Sequence, residues 1–426
     1  MLELHQAGAP YYPEFFGDER GSATVPAPIY LVPPSQPQMA SRADLQRLIN
    51  SIPVKIVVVD RDACIAAING ACQPYLRAVG LDLHLVAGQS YYAVKARFAA
   101  PPQDARVLPE GAPLPKKTQA TIRDYMVRQH AAGVMVLQDG KVRFVDYGLG
   151  FGPDGRWTSF SVAKSFTSTL LGAALKDGFI DSLNDPVSRY IPGLKGSAYD
   201  DVTVEQLATM TSGVKWNEDY TDPNSDVARM FNETPEPGQD QVVEYMKTLP
   251  REAPAGEKWV YKTGETNLIG VLVENAVGET LAEYTKRKIV DPAGFAHPLF
   301  WQTDLSGRSV GGCCLSAALS DYARLGQFAL EGGHGVVPDG WFAQAGAPQV
   351  EFGGGFGYGY QWWTYPNTGS AAFQGPFGAQ GIFGQSITIY PEKKAVIAIV
   401  SNWPQATGSN LSAERRKLFN AVVEGL

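Results

Sequence analysis

The apolar spacing along the chain changes from strand-like to helix-like and back again. The pattern of residues 133–148 predicts a β-hairpin, and Asp139-Gly140 is its two-residue turn. From Ser161 onward, apolar residues recur near every 3.6 positions, which predicts helices. The strand-like pattern returns at 386–390 and 395–401. Because strands come from both ends of this region and helices from its middle, we expect an α/β plus α fold. It would consist of an antiparallel sheet flanked by helices, with a mostly helical subdomain.

The helical spacing recurs in separate segments. Predicted helices cover residues 116–132, 161–177, 204–211, 239–249, 264–277, 279–290, 319–331 and about 411–424. Ahead of them, residues 1–40 predict an extended arm or a linker, and residues 41–50 a short helix. Three β-rich stretches follow, at 54–60, 63–68 and 81–86.

A proline-rich stretch over residues 99–115 separates these early segments from the rest of the chain. We therefore predict an N-terminal extension over residues 1–115 that packs on a main domain at 116–426. The helical subdomain of that main domain is expected at about 161–290.

Composition and charge exclude several classes of protein. Hydrophobic residues make up 44% of the 426 residues and charged residues 19%, so the chain can bury a core and is not disordered. The net charge is −7 and no basic cluster offsets it, which argues against a nucleic-acid partner. Apolar runs such as Ala395–Val400 fall far short of the ~20 residues needed to cross a bilayer, so we expect no membrane association.

The cysteines and histidines form neither a disulfide framework nor a metal site. Cysteine is sparse, with Cys313 and Cys314 as one vicinal pair, which is typical of a reducing compartment. The N-terminus lacks the basic and apolar regions of a secretory signal, so we expect a cytoplasmic protein. The histidines are far apart and form no H-x-x-x-H spacing, so we expect no metal and no other cofactor.

Ser161 and Lys164 form an S-x-x-K sequence where a β region gives way to a long helix. Three positions apart at the head of a helix, the two side chains share one face. A serine hydroxyl needs an adjacent base, and a partly desolvated lysine has a lowered pKa that suits it to accept the proton. The helix N-terminus adds N–H groups that favour a developing oxyanion. The spacing alone is equally compatible with a capping serine and an exposed lysine.

A second segment, residues 253–264 (APAGEKWVYKTG), places Tyr261 in a P-x-G-x-x-(aromatic)-x-Tyr context before another helix. Together with Ser161-Val-Ala-Lys164, it resembles the serine β-lactamase-like hydrolases. These include class C β-lactamases, D-alanyl peptidases, esterases and 6-aminohexanoate-dimer hydrolases. The resemblance covers roughly residues 115–426. It implies a β-lactamase-like fold in which Ser161 is the nucleophile, Lys164 the base and Tyr261 the proton relay.

Two departures from the superfamily pattern bear on the substrate. Thr263 stands where an asparagine is usual, and Ala379-Gln380-Gly381 stands where a Lys- or His-Thr-Gly triplet is usual. The missing cation argues against penicillins, whose carboxylate it helps to bind. Because Gly381 permits a close backbone approach, the resemblance still implies an oxyanion hole made by the N–H groups of Ser161 and Ile382.

Residues 161–194 and 211–226 are most similar to the 6-aminohexanoate-dimer hydrolases, which cleave linear amides of the nylon-oligomer type and short esters. In that subgroup a tyrosine after T-S-G-V-x-W-x-E-D closes over the substrate and hydrogen-bonds the scissile amide. Tyr220 matches that tyrosine. The acidic residues around it form a polar loop and are expected to be mostly turn residues. They are Glu218, Asp219, Asp222 and Asp226.

We therefore expect a serine hydrolase that cleaves small linear amides through an acyl-enzyme, with promiscuous carboxylesterase activity. Two alternatives stay open, namely a carboxylesterase of the same superfamily and a catalytically silent ligand-binding relative. The expected partner is a small-molecule amide or ester. The sequence does not fix the natural substrate, the amide or ester preference, a homodimer against a monomer, or the role of residues 1–115.

Overall fold

The computed structural model describes residues 29–31, 56–59, 65–68, 81–86, 90–103, 105 and 107–426. Its strands, β1 to β16 in chain order, are Ile29–Leu31, Ile56–Val59, Ile65–Ile68, Leu81–Val86, Ser90–Ala99, Ala131–Gln138, Lys141–Tyr147, Trp157–Thr158, Leu299–Gln302, Leu315–Ala317, Val350–Gly353, Phe356–Tyr358, Trp363–Thr364, Phe377–Gln380, Ser386–Tyr390 and Ala395–Ser401. Its α-helices, α1 to α11, are Lys116–Arg128, Ala163–Lys176, Val204–Ala208, Asp226–Asn232, Gln241–Met246, Thr263–Val277, Leu281–Thr285, Asp291–Ala293, Leu319–Leu330, Trp341–Ala345 and Ser409–Glu424.

The largest sheet has eight strands in the order β11-β12-β13-β14-β15-β16-β6-β7, and every neighbouring pair is antiparallel. Its adjacent strands β6 and β16 come from opposite ends of the main region and are buried along almost their whole length. Successive side chains of a strand point to opposite faces. Val134 and Ile399 accordingly pack with α1 and α11, whereas Met135 and Ala398 pack with α9 on the other face.

A second sheet has the order β4-β5-β9-β10-β8. The pairing of β5 with β9 runs from Ala96 opposite Gln302 to Ala99 opposite Leu299. At the other edge, β8 pairs with β10 and ends at Thr158, directly before Ser159 and Phe160 begin the turn into α2. A small third sheet joins β1, β2 and β3.

Helices α2 and α6 form the centre of the helical region and pack on each other. Every side chain from Ala163 to Ala174 is buried, including several hydroxyl residues. Two of those hydroxyls are satisfied by carbonyl groups outside the helix: Ser165 donates to Gln361 O at 2.8 Å and Thr167 donates to Gly311 O at 2.7 Å. At Ser165 and Thr167 the buried helix therefore contains hydroxyl groups whose hydrogen bonds are satisfied inside the protein.

The predicted fold class is confirmed: an antiparallel sheet is flanked by helices, with a helical region between strands from the two ends of the main region. The predicted helices 161–177, 264–277 and 319–331 correspond to α2, α6 and α9. The β-rich stretches at 54–60, 63–68 and 81–86 contain β2, β3 and β4. The predicted helix at 41–50 and all of the predicted arm except Ile29–Leu31 lie outside the described residues.

Several features were not predicted. The pattern gave no sign of the short strands between Trp157 and Gln380, and the structure joins Cys313 to Cys314 by a disulfide. The helix predicted at 279–290 is a short α-helix, α7, that continues as a π-helical turn over residues 286–290. Among the described residues, none of the helices combines the length and the hydropathy required to span a bilayer.

Candidate active site

Ser161 lies in a 3-10 turn, Phe160–Val162, between β8 and α2. The turn is fastened by Ser159, whose Oγ donates to Phe160 O at 2.8 Å and accepts from Leu315 N at 3.0 Å. Phe160 has a positive φ of 43°, a conformation that non-glycine residues rarely adopt and that recurs at functional sites. The Ser161 side chain is thus held, 8% exposed, where the strand turns sharply into the helix.

The Lys164 ammonium group is buried directly beside Ser161. Its Nζ lies 3.1 Å from Ser161 Oγ, 3.0 Å from Thr263 Oγ1 and 2.7 Å from Gly312 O. Burial lowers the pKa of Lys164 to about 8, and the negative charge of Glu218 opposes that shift only in part. Lys164 can therefore exchange a proton near neutral pH, as a general base requires.

Tyr261 completes the group. Lys164 Nζ lies 5.1 Å from the centre of its ring, and the Ser161 side chain is among the groups that act on the pKa of its hydroxyl. The ring stacks on Trp363 at a centroid distance of 5.6 Å. Burial, and then the charge of Glu218, raise the pKa of Tyr261 well above its usual range. Tyr261 is therefore held as a neutral phenol that can pass on a proton.

A buried ion pair supports the segment that carries Tyr261. The next residue, Lys262, is fully buried, and its Nζ lies 3.2 Å from Glu265 Oε1 and 3.3 Å from Ser212 Oγ. Glu265 also receives hydrogen bonds from Ser212 and from Tyr199 OH. Removing one partner of such a pair leaves an uncompensated buried charge, so this pair restrains the backbone on both sides of it.

Thr263 and Glu218 connect the site to the loop that carries Tyr220. Thr263 Oγ1, which lies beside Lys164 Nζ, donates a short hydrogen bond to Glu218 Oε1, and Thr263 N donates to Glu218 Oε2 at 2.9 Å. Tyr220 OH donates to Glu218 Oε1 at 2.9 Å, and Trp216 Nε1 donates to Oε2. The Thr263 hydroxyl and the Glu218 carboxylate thus form a chain of hydrogen bonds between Lys164 and Tyr220.

Strand β14 passes beside the turn that holds Ser161. At Gly381, just after that strand, a Cβ atom would lie only 2.6 Å from Ser159 O and 3.2 Å from Phe160 Cβ. Ile382 follows at the start of a 3-10 turn and packs against the apolar cluster that includes Phe160. This close approach puts Ile382 next to the Ser161 turn, where an oxyanion hole would need its N–H.

All five residues singled out from the sequence therefore lie in or beside one site. They are Ser161, Lys164, Tyr261, Tyr220 and Ile382. Sequence reasoning missed Glu218 as a site residue, because it was grouped with three acidic neighbours as a turn residue. Those neighbours do have turn and capping roles; for example, Asp219 accepts from Thr221 N and Asp222 from Asn224 N, both at 2.8 Å. In the part of the chain that the structure describes, no group of His, Cys, Asp and Glu residues could hold a metal ion.

Comparison with known proteins identifies the same family that the sequence motifs resemble. The model of the family described as Beta-lactamase matches residues 118–421. A 6-aminohexanoate-dimer hydrolase of Paenarthrobacter ureafaciens is 30% identical over 302 residues, which cover 63% of this chain and 72% of that protein. A β-lactamase of Pseudomonas fluorescens is 28% identical over 187 residues, 42% of this chain and 48% of that protein.

Solved structures share the fold at lower identity. A class C β-lactamase superposes with a TM-score of 0.56 and 18% identity, covering 73% of this chain and 96% of its own. EstCE1, a hydrolase with promiscuous acyltransferase activity, gives a TM-score of 0.58 with 15% identity and covers 71% of this chain and 97% of its own. At such identities the likeness establishes the fold alone.

Proposed function

The chain belongs to the Beta-lactamase family and is a serine hydrolase of that fold, and within the family we propose that it cleaves small linear amides through an acyl-enzyme on Ser161. The observation that carries the proposal is the position of Lys164. Its buried amine lies 3.1 Å from Ser161 Oγ with a pKa lowered to about 8. A serine beside a base of that kind is an activated nucleophile.

In the proposed reaction, Ser161 Oγ attacks the substrate carbonyl carbon while its proton passes to Lys164 Nζ. The N–H groups of Ser161 and Ile382 would hold the resulting oxyanion. The proton then moves from Lys164 through the Tyr261 hydroxyl to the leaving amine, and the C–N bond breaks to give the acyl-enzyme. Water attacks that ester in the second half of the reaction, its proton passes back along the same groups, and Ser161 is released.

The residues around the site favour an uncharged acyl substrate over a penicillin. In the position where the superfamily presents a lysine or histidine, β14 has Ala379, which is 1% exposed and buried in the core. The neighbouring Gln380 is turned away to Tyr365 OH at 2.6 Å and to Arg415 at 2.5 Å. A substrate carboxylate would therefore meet no cation from this strand.

Two observations support an amide rather than an ester as the preferred substrate. The 30% identical relative is a 6-aminohexanoate-dimer hydrolase, and Tyr220 is held near Lys164 by Glu218. An ester would form the same acyl-enzyme, so carboxylesterase activity is expected beside the amidase activity. A catalytically silent relative would not need a buried lysine 3.1 Å from Ser161 Oγ and 5.1 Å from the centre of the Tyr261 ring.

The experiment that tests this proposal combines covalent labelling with turnover. A fluorophosphonate should label the purified protein on Ser161, and the protein should hydrolyse both members of an amide and ester pair that share one acyl group. Ser161→Ala should lose the label and all but a few per cent of turnover while keeping its melting temperature. Ser165→Ala, one turn further along the same helix and bonded to Gln361 O, is the matched control and should still be labelled. Labelling that persists in Ser161→Ala would place the nucleophile elsewhere.

A further inference from the structure

The turn between β14 and β15 has a backbone conformation that non-glycine residues rarely adopt. Phe383 has a φ of 60° and Gly384 a φ of 92°, so two successive residues lie in the left-handed region. Such a conformation persists only where neighbouring groups hold it, and it recurs at functional sites. Phe383 is held by the segment after β16: its N donates to Ala406 O at 2.9 Å, and its O accepts from Trp403 N at 3.1 Å. Ile382, whose N–H would complete the oxyanion hole, comes directly before it and is held by a different residue.

That residue is Gln385, which is bonded to the turn on both sides of the peptide group that joins Gly381 to Ile382. Its carbonyl oxygen accepts from Gly381 N at 2.9 Å, and its side-chain Nε2 donates to Ile382 O at 3.2 Å. The N–H of Ile382 belongs to the peptide group between these two bonds. Because a peptide group is planar, bonds on both sides of it leave its N–H little freedom to turn. Gln385 therefore controls the direction of the Ile382 N–H.

The side chain of Gln385 is itself fixed by the end of β16. It is 1% exposed, its Oε1 accepts from Ser401 N at 2.8 Å, and its Nε2 donates to Ser401 O at 2.7 Å. A glutamine amide has one oxygen acceptor and two N–H hydrogens. Since Ser401 uses the oxygen and one of the hydrogens, the amide has a single orientation, and its second hydrogen is directed to Ile382 O.

The turn held by Gln385 packs against the turn that carries Ser161. The ring centres of Phe160 and Phe383 are 5.3 Å apart, and these residues are the chain neighbours of Ser161 and Ile382. The Ser161 turn is fastened separately, through the two hydrogen bonds of the Ser159 hydroxyl. A displacement of the second turn alone would therefore change the spacing between the two N–H groups of the oxyanion hole.

We propose that Gln385 is a positioning residue for the oxyanion hole: its side-chain amide connects the end of β16 to Ile382 and so holds the Ile382 N–H where the oxyanion forms. The inference deepens the proposed function and rests on it, because it takes the N–H groups of Ser161 and Ile382 as the donors to the oxyanion. Gln385 acts only through the backbone of the turn and does not contact the substrate. Its effect should be large, because such donors must lie about 2.7–3.1 Å from the oxyanion.

Gln385→Met tests the proposal, because methionine is close to glutamine in size but offers no N–H. The readout is the ratio of kcat/KM for an ester to kcat/KM for its thionoester, in which sulfur replaces the carbonyl oxygen. Sulfur accepts hydrogen bonds weakly, so a well-placed oxyanion hole favours the oxygen ester. The ester kcat, counted per site labelled by fluorophosphonate, should fall about ten- to a hundredfold with little change in KM. The ester-to-thionoester ratio should fall about five- to tenfold, while the midpoint of the acidic limb stays in place because Lys164 is untouched.

Gln241→Met is the matched control from the helical region. Gln241 is 3% exposed, and its amide is bonded in the same way. Its Nε2 donates to Met230 O at 3.1 Å and to Glu233 O at 3.0 Å, and its Oε1 accepts from Leu305 N at 2.8 Å. The control thus loses a comparable set of buried hydrogen bonds. Its melting temperature should fall by a similar amount, and its ester-to-thionoester ratio should remain that of the wild type.

Three results would overturn the inference: an unchanged ratio in folded Gln385→Met, an equal fall of the ratio in Gln241→Met, or a wild type that does not favour the oxygen ester. If Gln385→Met does not fold, Gln385→Glu replaces it at about pH 6, where burial favours the neutral acid. A neutral carboxyl group still donates to Ser401 O and accepts from Ser401 N, but it has no second hydrogen for Ile382 O. Its ratio should fall as well, and an unchanged ratio would again overturn the inference.

These outcomes are distinguishable from a failure of the proposed function. The proposed function fails if wild-type Ser161 is not labelled by fluorophosphonate or if the wild-type protein does not hydrolyse the amide. The inference about Gln385 fails on the ester-to-thionoester ratio, in a protein that is labelled and active.

Discussion

Burial moves the pKa values of Lys164 and Tyr261 in opposite directions. It lowers the pKa of the lysine to about 8 and raises that of the tyrosine well above its usual range, because in each case the charged form loses its hydration. When the environments of two neighbouring groups shift their pKa values in opposite directions, the two groups can take different parts in proton transfer. In the proposed reaction Lys164 is therefore the group that would accept the proton of Ser161, and Tyr261 the neutral phenol that would hand it on.

This assignment predicts the pH dependence of catalysis. Lys164 must be neutral to act as a base, so kcat/KM should rise with pH through an acidic limb whose midpoint is near 8 and should be lost progressively below it. The profile should be the same for an amide and an ester of one acyl group, because both need the same base. Initial rates from pH 5 to 10 measure it, with melting temperatures at each pH as the control. A midpoint near 6 would assign the limb to another group.

At this scale the sequence predicted the residues whose motifs are short and local. Ser161 and Lys164 are one helical turn apart, and Tyr261 carries its own motif. Glu218 and Thr263 are 45 residues apart, and only the folded chain brings a carboxylate to that hydroxyl. No spacing rule connects such a pair, so the contact between them is seen only in the structure.

The length of each helix or strand decided whether the sequence could predict it. Helices α2, α6 and α9 have 14, 15 and 12 residues and show a clear period. Strands β8 and β13 have two residues each, too few for any alternation to appear. They exist because neighbouring strands complete their hydrogen bonds, and these short strands place Ser161 and Trp363 at the site.

The close contact between Gly381, which follows β14, and the turn that holds Ser161 predicts the effect of substituting this glycine. In Gly381→Ala the new Cβ would lie 2.6 Å from Ser159 O and 3.2 Å from the Cβ atoms of Phe160 and Gln385, none of which is the end of a flexible side chain. The backbone must move apart, and the N–H of Ile382 moves with it. A displacement of about 1 Å at an active site can cost about a hundredfold in rate, so kcat should fall steeply.

Gly378→Ala is the matched control for this effect. Gly378 lies within β14, three residues before Gly381, and its Cβ would collide with Ile387 O on the neighbouring strand rather than with the Ser161 turn. It should lower the melting temperature but reduce kcat much less than Gly381→Ala does. Equal loss of kcat in the two variants would mean that strain anywhere in β14 stops catalysis, without a special role for Ile382.

In the whole molecule, residues shortly before position 116 contact two sheets: residues 96–99 pair within the five-stranded sheet, and residues 109–114 bond to the edge of the eight-stranded sheet. Strand β5 is paired with β9, which continues through β10 to β8 and so to the Ser161 turn. Residues 109–114 run along the edge of β7: Val142 N donates to Pro109 O at 2.8 Å and Gly111 N donates to Val142 O at 2.9 Å. The proline-rich composition of residues 99–115 indicated a boundary, but composition carries no information about which sheet edge such a segment meets.

Chains that begin at residue 81, 108 and 116 should separate these contributions. The chain from 108 lacks β4 and β5 and leaves β9 as an unpaired edge, which invites association as well as loss of stability. The chain from 116 also loses the bonds to β7 and the burial of Leu114, which is 2% exposed. With each of the three backbone hydrogen bonds to β7 worth about 1 kcal/mol and the buried leucine about 2 kcal/mol, the step from 108 to 116 alone should cost on the order of 5 kcal/mol. Thermal unfolding should therefore show the melting temperature falling in the order 81, 108, 116, with fluorophosphonate labelling of Ser161 kept while each chain stays folded. Equal melting temperatures would mean that the main region holds both sheets without these strands.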